Sequence, residues 1–576
     1  MAVDRATRGQ VETGRPSTVA MIWAHLRHAN RGFWRAPIAA FFTIVFPLIF
    51  LLLLGALIGN QRIGDTDVRV MQFLTPAVAA FAATTASFTA LAIGLVIDRE
   101  EGILKRVRGT PLRPWMFMVA RMGSTVWIAV VSVAVMLTVG VVLFGVQLLP
   151  RTAPAALLTL VVGIGCFAAL GLAVVALSPS QSATQAITNA IILPLAFISD
   201  VFTQGPLPRW LETIGWLFPL KHFSNALGDT FDPFADGAQF GWDHLAVMAA
   251  WGLAGTAVAL RFFRWDPRPP RAAPRRSPDA AAQAVDPAAV LRPVEQHGRP
   301  GVAALISNQA AYGTRAFLRN TGSAFFVLAF PIILLLLIPV VFGNAELPGR
   351  GGIALTQFLA PVLAVYGAAT AAYGDFSERV AFARDRGILK RIHGTPLPVW
   401  AYVAGRILTA VTVAIASLSL TMAVGVLVYG VELVPRALPG LLVSVVLGVA
   451  CFAALGLAIA AAAPNADAVP TIANATLLPL AFVSDIFIIG DATPRWMEVV
   501  GTVFPLKHFA NAVADAVNPT VPGAGLYADH LAVMAAWLAV GLFVALRFWT
   551  WEPRARTGGR RRRRRRRGVP ADRRDT

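Results

Sequence analysis

The stretch GILKRVRGTPL at residues 102–112 recurs as GILKRIHGTPL at residues 387–397, which lie 285 positions further along the chain. Four other stretches recur at the same spacing to within one residue. They are CFAALGLA (166 and 451), LPLAFISDVF with LPLAFVSDIF (193 and 478), FPLKHFSNA with FPLKHFANA (218 and 504), and DHLAVMAAW (243 and 529). Matches at one nearly constant spacing indicate a tandem duplication, with halves of about residues 20–265 and 305–550.

The composition excludes most soluble classes of protein. Hydrophobic residues make up 56% of the 576 residues and charged residues only 14%, and the mean hydropathy is +0.64. An ordinary soluble domain has about 25% charged residues, so this chain could not cover its surface in water. Two cysteines exclude a disulfide framework or a cysteine-built metal site. The remaining class is an all-α polytopic membrane protein.

Each half contains six apolar stretches that approach or exceed the roughly 20 residues needed to cross a bilayer. Because six is even, the halves have the same orientation, and the prediction is about twelve transmembrane helices as two parallel six-helix repeats. The predicted spans lie near residues 37–59, 70–97, 117–146, 154–178, 184–203 and 243–263, and near 322–343, 355–376, 401–429, 437–463, 468–489 and 529–549.

Basic residues are concentrated in the loop after the second span of each half, whereas the loops after spans one and three carry few. Short loops rich in arginine and lysine stay in the cytoplasm, so both termini are predicted to be cytoplasmic in a multi-pass protein of the cell (plasma) membrane. The basic residues are Arg99, Lys105, Arg106, Arg108 and Arg113 in the first loop, and Arg384, Arg386, Lys390 and Arg391 in the second.

The less apolar segments are predicted to be tails and a linker. The predicted order is a disordered tail (1–16), a first repeat (17–265), a cytoplasmic linker rich in Pro, Ala and Arg (266–301), a second repeat (302–551) and a disordered Arg-rich tail (552–576). Eight consecutive arginines in the last tail supply eight of the net +19 charges. We expect that run to be solvated and to contact anionic lipid, with no specific nucleic-acid role.

Residues 17–36 mix apolar, aromatic and basic side chains at helical spacing, and residues 302–320 are a weaker counterpart. This pattern is typical of an amphipathic helix that lies in the membrane interface. The alternative interpretation is an ordinary basic flank of the first span.

The recurring basic loop combines a short helical stretch with turn residues. Gly109 permits a sharp reversal, and Pro111 biases Thr110 away from helix. The predicted result is a compact projection whose Lys105 and Arg106 face anionic lipid or an acidic partner. A topological anchor of positive charges is the alternative, although it would not require the glycine, threonine and proline that both copies contain.

With these motifs the chain resembles the permease, the membrane-spanning subunit, of an ABC type-2 exporter, with two copies fused in one polypeptide. The resemblance covers the basic loops at 98–115 and 384–400. It also covers the outer segments at 204–242 and 490–528, where prolines interrupt a re-entrant helix. In that family the cytoplasmic loop seats in a groove of a separate ATPase and passes its closure to the membrane helices.

The resemblance implies a role in ATPase coupling for a set of residues in both loops. They are Gly102, Lys105, Arg106, Gly109, Thr110 and Pro111, with Gly387, Lys390, Arg391, Gly394, Thr395 and Pro396. It further implies two ATPase subunits per chain, which bind ATP and Mg²⁺. The apolar lining predicts a hydrophobic or amphipathic cargo, such as a drug, a secondary metabolite or a lipid-linked molecule.

The chain itself is not predicted to be an enzyme. A phosphate-binding loop requires a Gly-Lys-[Ser/Thr] sequence, whereas each of the four lysines here follows a leucine. No metal or cofactor site is recognisable in the sequence. A secondary transporter with two six-helix repeats and a non-transporting membrane scaffold remain as rival functions.

Polar residues near the fifth span and in the outer segments are candidates for the translocation path or an outer rim. They are Asn189, Asp200, Lys221 and His222, and their copies Asn474, Asp485, Lys507 and His508. Each has a simpler interpretation. The Lys–His pairs are expected to snorkel to the headgroups, the aspartates to be solvated at the boundary, and the asparagines to hydrogen-bond across helices.

Two further predictions concern span ends. Asp243 with His244, and Asp529 with His530, are expected to cap the sixth span of each half rather than to relay protons. In the second half, the charged residues Asp375, Glu378 and Arg379 replace apolar positions of the first half. We expect the helix to leave the membrane there about three turns earlier; the alternative is a charged face on the cavity.

Overall fold

The computed structural model describes residues 17–35, 40–58, 61–63, 66–110, 114–202, 207–264, 301–394, 397, 399–487 and 494–550. These residues form two compact units, one drawn mainly from residues up to 264 and the other mainly from residue 301 onward. The predicted tails and almost all of the predicted linker lie outside the described residues. Each unit is built from helices in the same order, as expected from the duplicated sequence.

The first unit consists of α-helices joined by short turns. They are α1 (Thr18–Trp34), α2 (Phe46–Ile58), α3 (Met71–Thr84), α4 (Leu91–Glu100), α5 (Ile103–Arg108), α6 (Pro114–Phe144), α7 (Ala153–Leu177), α8 (Gln181–Ile198), α9 (Arg209–Leu217), α10 (Pro219–Asp229) and α11 (Trp242–Phe262). A π-helical segment, Phe41–Val45, precedes α2, and another, Thr85–Ala90, joins α3 to α4 into one continuous helix.

The second unit repeats this order and adds a small hairpin of two strands. Its elements are α12 (Val302–Leu318), α13 (Thr321–Ala324), α14 (Phe330–Phe342), β1 (Glu346–Leu347), β2 (Ile353–Ala354), α15 (Leu355–Ala369), α16 (Phe376–Asp385), α17 (Ile388–His393), α18 (Val399–Tyr429), α19 (Leu438–Ala462), α20 (Val469–Val483), α21 (Arg495–Val503), α22 (Pro505–Val517) and α23 (Ala528–Phe548). The strands pair antiparallel, with Glu346 opposite Ala354. π-Helical segments again precede α14 and join α15 to α16.

The helices confirm the predicted class, an all-α polytopic membrane protein. Within the described residues, nine helices are long and apolar enough to cross a membrane. Two shorter apolar helices, Thr43–Ala56 and Val469–Val483, lie at predicted spans. Helix α8, at the remaining predicted span, carries more polar side chains (QSATQAITNAIILPLAFI). That these three helices also cross the membrane, which would give twelve crossings in total, stays a prediction.

The continuous helix α3–α4 and its counterpart α15–α16 lie at the centre of their units. Small residues allow the neighbouring helix to come close to the π-helical join. A Cβ atom on Gly171 would lie 2.8 Å from the carbonyl oxygen of Phe88, and one on Gly456 would lie 2.8 Å from that of Tyr373. Close backbone approach through glycine is how membrane helices gain packing contacts when water supplies no driving force between them.

The charged stretch of the second unit continues as helix. The helix Leu355–Asp385 has 31 residues and its counterpart Met71–Glu100 has 30. Arg379 pairs with Asp375 at 2.7 Å, and both side chains are less than one-fifth exposed. The charges are thus packed inside the unit, with the guanidinium of Arg379 over the ring of Phe317. Where this part of the helix lies relative to the bilayer stays a prediction.

The predicted interfacial segments are both helical, as α1 and α12. Helix α1 packs on α6, where the ring of His25 contacts Phe117 at 5.2 Å between centroids. Its Trp23 and Trp34 side chains remain half exposed. The amphipathic character is confirmed, and the interfacial location stays a prediction.

Candidate functional site

The basic loop of the first unit forms a turn and a short helix after the end of α4. We call this segment, residues 102–110, the elbow. Gly102 has φ +70°, a left-handed conformation that side chains disfavour, and it turns the chain directly into the short helix α5. Leu104 is fully buried and anchors α5 in a cluster with Leu95 and Phe117. The side chains of Lys105 and Arg106 point away from this cluster and are exposed.

The second unit forms the same elbow. Gly387 has φ +68° and begins α17, whose Leu389 is 1% exposed and packs on Tyr402. Lys390 and Arg391 are exposed. The predicted short basic helix and its projecting charges are therefore confirmed in both units.

The left-handed glycine lies at a different position from the one singled out in the sequence. Gly109 has φ −81° and Gly394 has φ −85°, so neither uses the conformational freedom of glycine, and each ends its helix. Gly102 and Gly387, which begin the basic helices, have the positive φ. The predicted reversal after each basic helix extends into residues outside the described ones and stays a prediction. The Thr110 hydroxyl donates to the carbonyl of Val107 at 2.7 Å. The predicted site residues Pro111, Thr395 and Pro396 lie outside the described residues.

A clamp of two adjacent residues, the buried Arg99 and the exposed Glu100, ties the elbow to the next two helices. Arg99 is 2% exposed, and its guanidinium donates to the carbonyls of Val175 and Ser178, both at 2.8 Å. Glu100 accepts from the backbone N–H of Gln181 at 2.8 Å. The arginine thus caps the last turn of α7 and the glutamate caps the first turn of α8, as the helix dipoles favour.

The clamp recurs in the second unit as Arg384 and Asp385. Arg384 is 3% exposed and donates to the carbonyls of Ala460 at 2.7 Å and Ala463 at 3.4 Å. Asp385 accepts from the backbone N–H of Ala466 at 2.7 Å. From the sequence alone, the arginines are interpreted only as topological charges. The signal that could have revealed the clamp is an Arg–acid pair that is separated from the glycine by one residue in both copies.

The predicted outer residues of the first unit meet in a cluster at the start of α10. Lys221 is 3% exposed, and its Nζ lies 3.1 Å from Oδ2 of Asp200. Asn225 donates to the same oxygen at 3.0 Å. Asp200 itself adopts φ +57°, which aspartate tolerates better than most residues. The expectations of a snorkelling lysine and a simply solvated aspartate are therefore wrong for this unit, because the two charges neutralise each other inside the protein.

In the second unit an arginine joins the equivalent cluster. Lys507 lies 3.4 Å from Asp485, whose other carboxylate oxygen lies 3.1 Å from the guanidinium of Arg350. Asp485 shares the left-handed conformation, with φ +60°. Arg350 comes from the turn between β1 and β2, far from α22 in sequence, and sequence analysis did not identify it as a site residue.

The histidines pair instead of capping helices. Nδ1 of His222 lies 2.9 Å from Nδ1 of His244, and Nδ1 of His508 lies 2.8 Å from Nδ1 of His530. Helices α11 and α23 begin without a side-chain cap, so the predicted cap is wrong for the histidines. The carbonyl of Trp216 accepts a hydrogen bond from Nε2 of His222 at 2.8 Å. The pairs join α10 to α11 in the first unit and α22 to α23 in the second.

The remaining predicted residues lie apart from both sites. Asn189 donates to the carbonyl of Gln185, and Asn474 to that of Pro470, so these amides bond within their own helices rather than across helices. Cys166 and Cys451 are buried free thiols.

In a comparison with protein families, the model described as ABC-2 type transporter matches residues 20–231 and 310–517. The two matched regions contain both elbows, both clamps and the charged clusters around Asp200 and Asp485. No curated protein matches the chain.

Proposed function

Because this chain belongs to the ABC-2 type transporter family, as two permease copies fused in tandem, we propose that it drives export of a hydrophobic or amphipathic compound with energy from a separate ATPase. As a family member it is a multi-pass membrane permease of an ABC transporter. The exported compound would be a drug, a secondary metabolite or a lipid-linked molecule. The proposed location is the cell (plasma) membrane, with both termini in the cytoplasm.

The observation that carries the proposal is the elbow with its clamp. A short helix, α5, exposes two positive charges and begins at a left-handed glycine. Just before that glycine, the clamp hydrogen-bonds the end of α4 to the end of α7 and the start of α8. A push on α5 would therefore be transmitted to the junction of α7 and α8. A loop that served only as a topological anchor would need the charges and not the clamp with its buried arginine.

The partner supplies the chemistry. ATP and Mg²⁺ would bind in the ATPase subunit, and its closure would move the elbow. Since there are two elbows in one chain, we propose two ATPase copies per chain. Acidic side chains in the ATPase groove would pair with Lys105 and Arg106 in one unit and with Lys390 and Arg391 in the other.

Charge removal at both elbows tests the coupling. We expect the variant Lys105→Ala, Arg106→Ala, Lys390→Ala, Arg391→Ala to insert in the membrane normally and to lose ATP-dependent export by at least tenfold. Export would be measured in cells and in vesicles that contain the ATPase. The control is Arg209→Ala with Arg495→Ala, which removes exposed charges from equivalent positions at the start of α9 and α21.

Two outcomes would contradict the proposal. Unchanged export by the four-residue variant would remove the coupling role of the elbows. Robust ion-driven uptake by the chain alone, in vesicles free of any ATPase, would show a secondary transporter instead. Copurification of an ATPase subunit with the tagged chain would support the proposal.

A further inference from the structure

The guanidinium of Arg350 occupies a receptacle in the second unit that is built for a cation. It lies 3.1 Å from a carboxylate oxygen of Asp485, 3.1 Å from the amide oxygen of Asn511 and 3.8 Å from a carboxylate oxygen of Asp515. Its carbon lies 4.3 Å from the centre of the Phe358 ring. Carboxylates, an amide oxygen and an aromatic face are the groups that bind guanidinium and ammonium ions.

The first unit keeps the receptacle without the arginine. Asp200, Asn225, Asp229 and Phe73 stand at the positions of the four groups that hold Arg350, at the repeat spacing of 285 or 286 residues. All four line one cavity of about 210 Å³. In the sequence, the position equivalent to Arg350 is an aspartate, Asp65, which lies outside the described residues.

Two residues that line the cavity are also smaller than their copies in the second unit. Ala77 stands where the second unit has Val362, and Gly228 stands where it has Ala514. A volume of about 210 Å³ is below the roughly 300–1,000 Å³ of pockets that enclose a drug-sized ligand. The space therefore suits a small head group whose remaining atoms extend outside the cavity.

The balance of charge favours a cation as the occupant. In the second unit the carboxylates of Asp485 and Asp515 face two cations, Arg350 and Lys507. In the first unit Lys221 neutralises Asp200. Across the part of the chain that the structure describes, no lysine or arginine pairs with Asp229. One carboxylate of the first receptacle therefore lacks the positive partner that its copy has.

Other charged groups lie near Asp229 but do not replace this partner. His244 on α11 faces it together with Asp243, and Asp232 follows it in the chain. Partial desolvation by the surrounding protein raises the pKa of the exposed Asp229 carboxyl, with His244 acting in the opposite direction. A carboxylate that the protein desolvates gains more from an incoming cation than one in bulk water.

We propose that the cavity of the first unit, lined by Phe73, Asp200, Asn225 and Asp229, binds the guanidinium or ammonium head group of an organic cation. Arg350 performs the same contacts within the second unit, so a single external site remains per chain. That this cation is the head group of an amphipathic cargo rests on the proposed export function. The binding site itself does not depend on that function.

Binding of methylguanidinium to the purified full-length chain, without an ATPase, tests the site. We expect one bound cation per wild-type chain and two per Arg350→Ala chain, because the variant empties the second receptacle. Asp229→Asn should weaken the wild-type site about tenfold or more. Asp67→Asn, which removes an exposed carboxylate outside the cavity, is the matched control and should leave binding unchanged.

The Arg350→Ala variant also gives meaning to a result in which the wild-type chain binds no methylguanidinium. If it binds one methylguanidinium while the wild-type chain binds none, the receptacle chemistry works only in the second unit, and the proposal is wrong. Binding by neither chain would overturn it as well. A longer alkylguanidinium that competes with methylguanidinium at the same site and is exported would connect the site to the cargo. If the longer alkylguanidinium binds at this site but is not exported, the result would count against the proposed export function and not against the binding site.

Discussion

At the scale of single residues, the elbow depends on one backbone conformation in each unit. Gly102 and Gly387 turn the chain with positive φ at the point where the long helix ends and the basic helix begins. A Cβ atom would meet no neighbouring atom at either position. The cost of a side chain there would arise from the backbone alone, because L-residues disfavour left-handed conformations.

Substitution of these two glycines therefore gives a clean prediction. Gly102→Ala with Gly387→Ala should destabilise each elbow by roughly 1–2 kcal/mol. Faster hydrogen exchange of α5 and α17 and reduced export would be the readouts. Gly109→Ala with Gly394→Ala is the control, since these glycines have negative φ and should tolerate alanine. Equal effects of both pairs would show that the left-handed turn is not what positions the basic helix.

At the scale of elements, the hairpins α9–α10 and α21–α22 are held to the last span of each unit by polar contacts. The histidine pairs supply one contact. The indole N–H of Trp251 donates to the carbonyl of Leu217 at 3.0 Å, and that of Trp537 to the carbonyl of Val503 at 2.8 Å. Since these contacts recur in both units, each hairpin has one defined position against its span.

The histidine pair makes this position sensitive to pH. Burial lowers the pKa of His222 below its ordinary value of 6.5. The unfolded chain therefore binds a proton more readily, so stability is fully present above pH 6.5 and falls as the pH drops from there toward the lower folded pKa. A second proton on the pair would also place two N–H donors against each other at 2.9 Å.

Thermal denaturation of the purified chain between pH 8 and pH 5 measures this effect. The midpoint should fall on acidification, and His222→Gln should reduce the dependence over that range. The exposed His28 on α1 offers the control, because His28→Gln removes a histidine that takes no part in the pair. An unaltered pH profile in the His222→Gln variant would exclude the pair as its cause.

At the scale of the whole molecule, the duplication provides two elbows with the same construction but leaves other sites unequal. Arg350 and the buried pair of Asp375 and Arg379 occur only in the second unit. Fusion in one polypeptide allows the copies to differ while each keeps its elbow. Under the proposed function, the two halves would share the ATPase-driven motion and differ in how they contact the cargo.

Two equal elbows predict a stepwise stoichiometry. Removal of Lys105 and Arg106 alone, or of Lys390 and Arg391 alone, should lower the number of bound ATPase subunits from two to one per chain. Native mass spectrometry of the purified complex would count them. A complex that keeps two ATPase subunits after either change, or loses both after one, would contradict independent seating at each elbow.

The sequence alone determined the class of protein, the duplication, most helix positions and the basic loops, because apolar length and repetition are properties of contiguous residues. The exposed Lys105 and the short helix around it belong to this predictable part. Only the tertiary structure showed that Arg99 caps α7 and that Arg350 occupies a receptacle completed by α22, across 76 to 165 residues of chain. Such pairings depend on which helices pack together, and burial then makes an ion pair or a cap necessary where local sequence shows only an isolated charge.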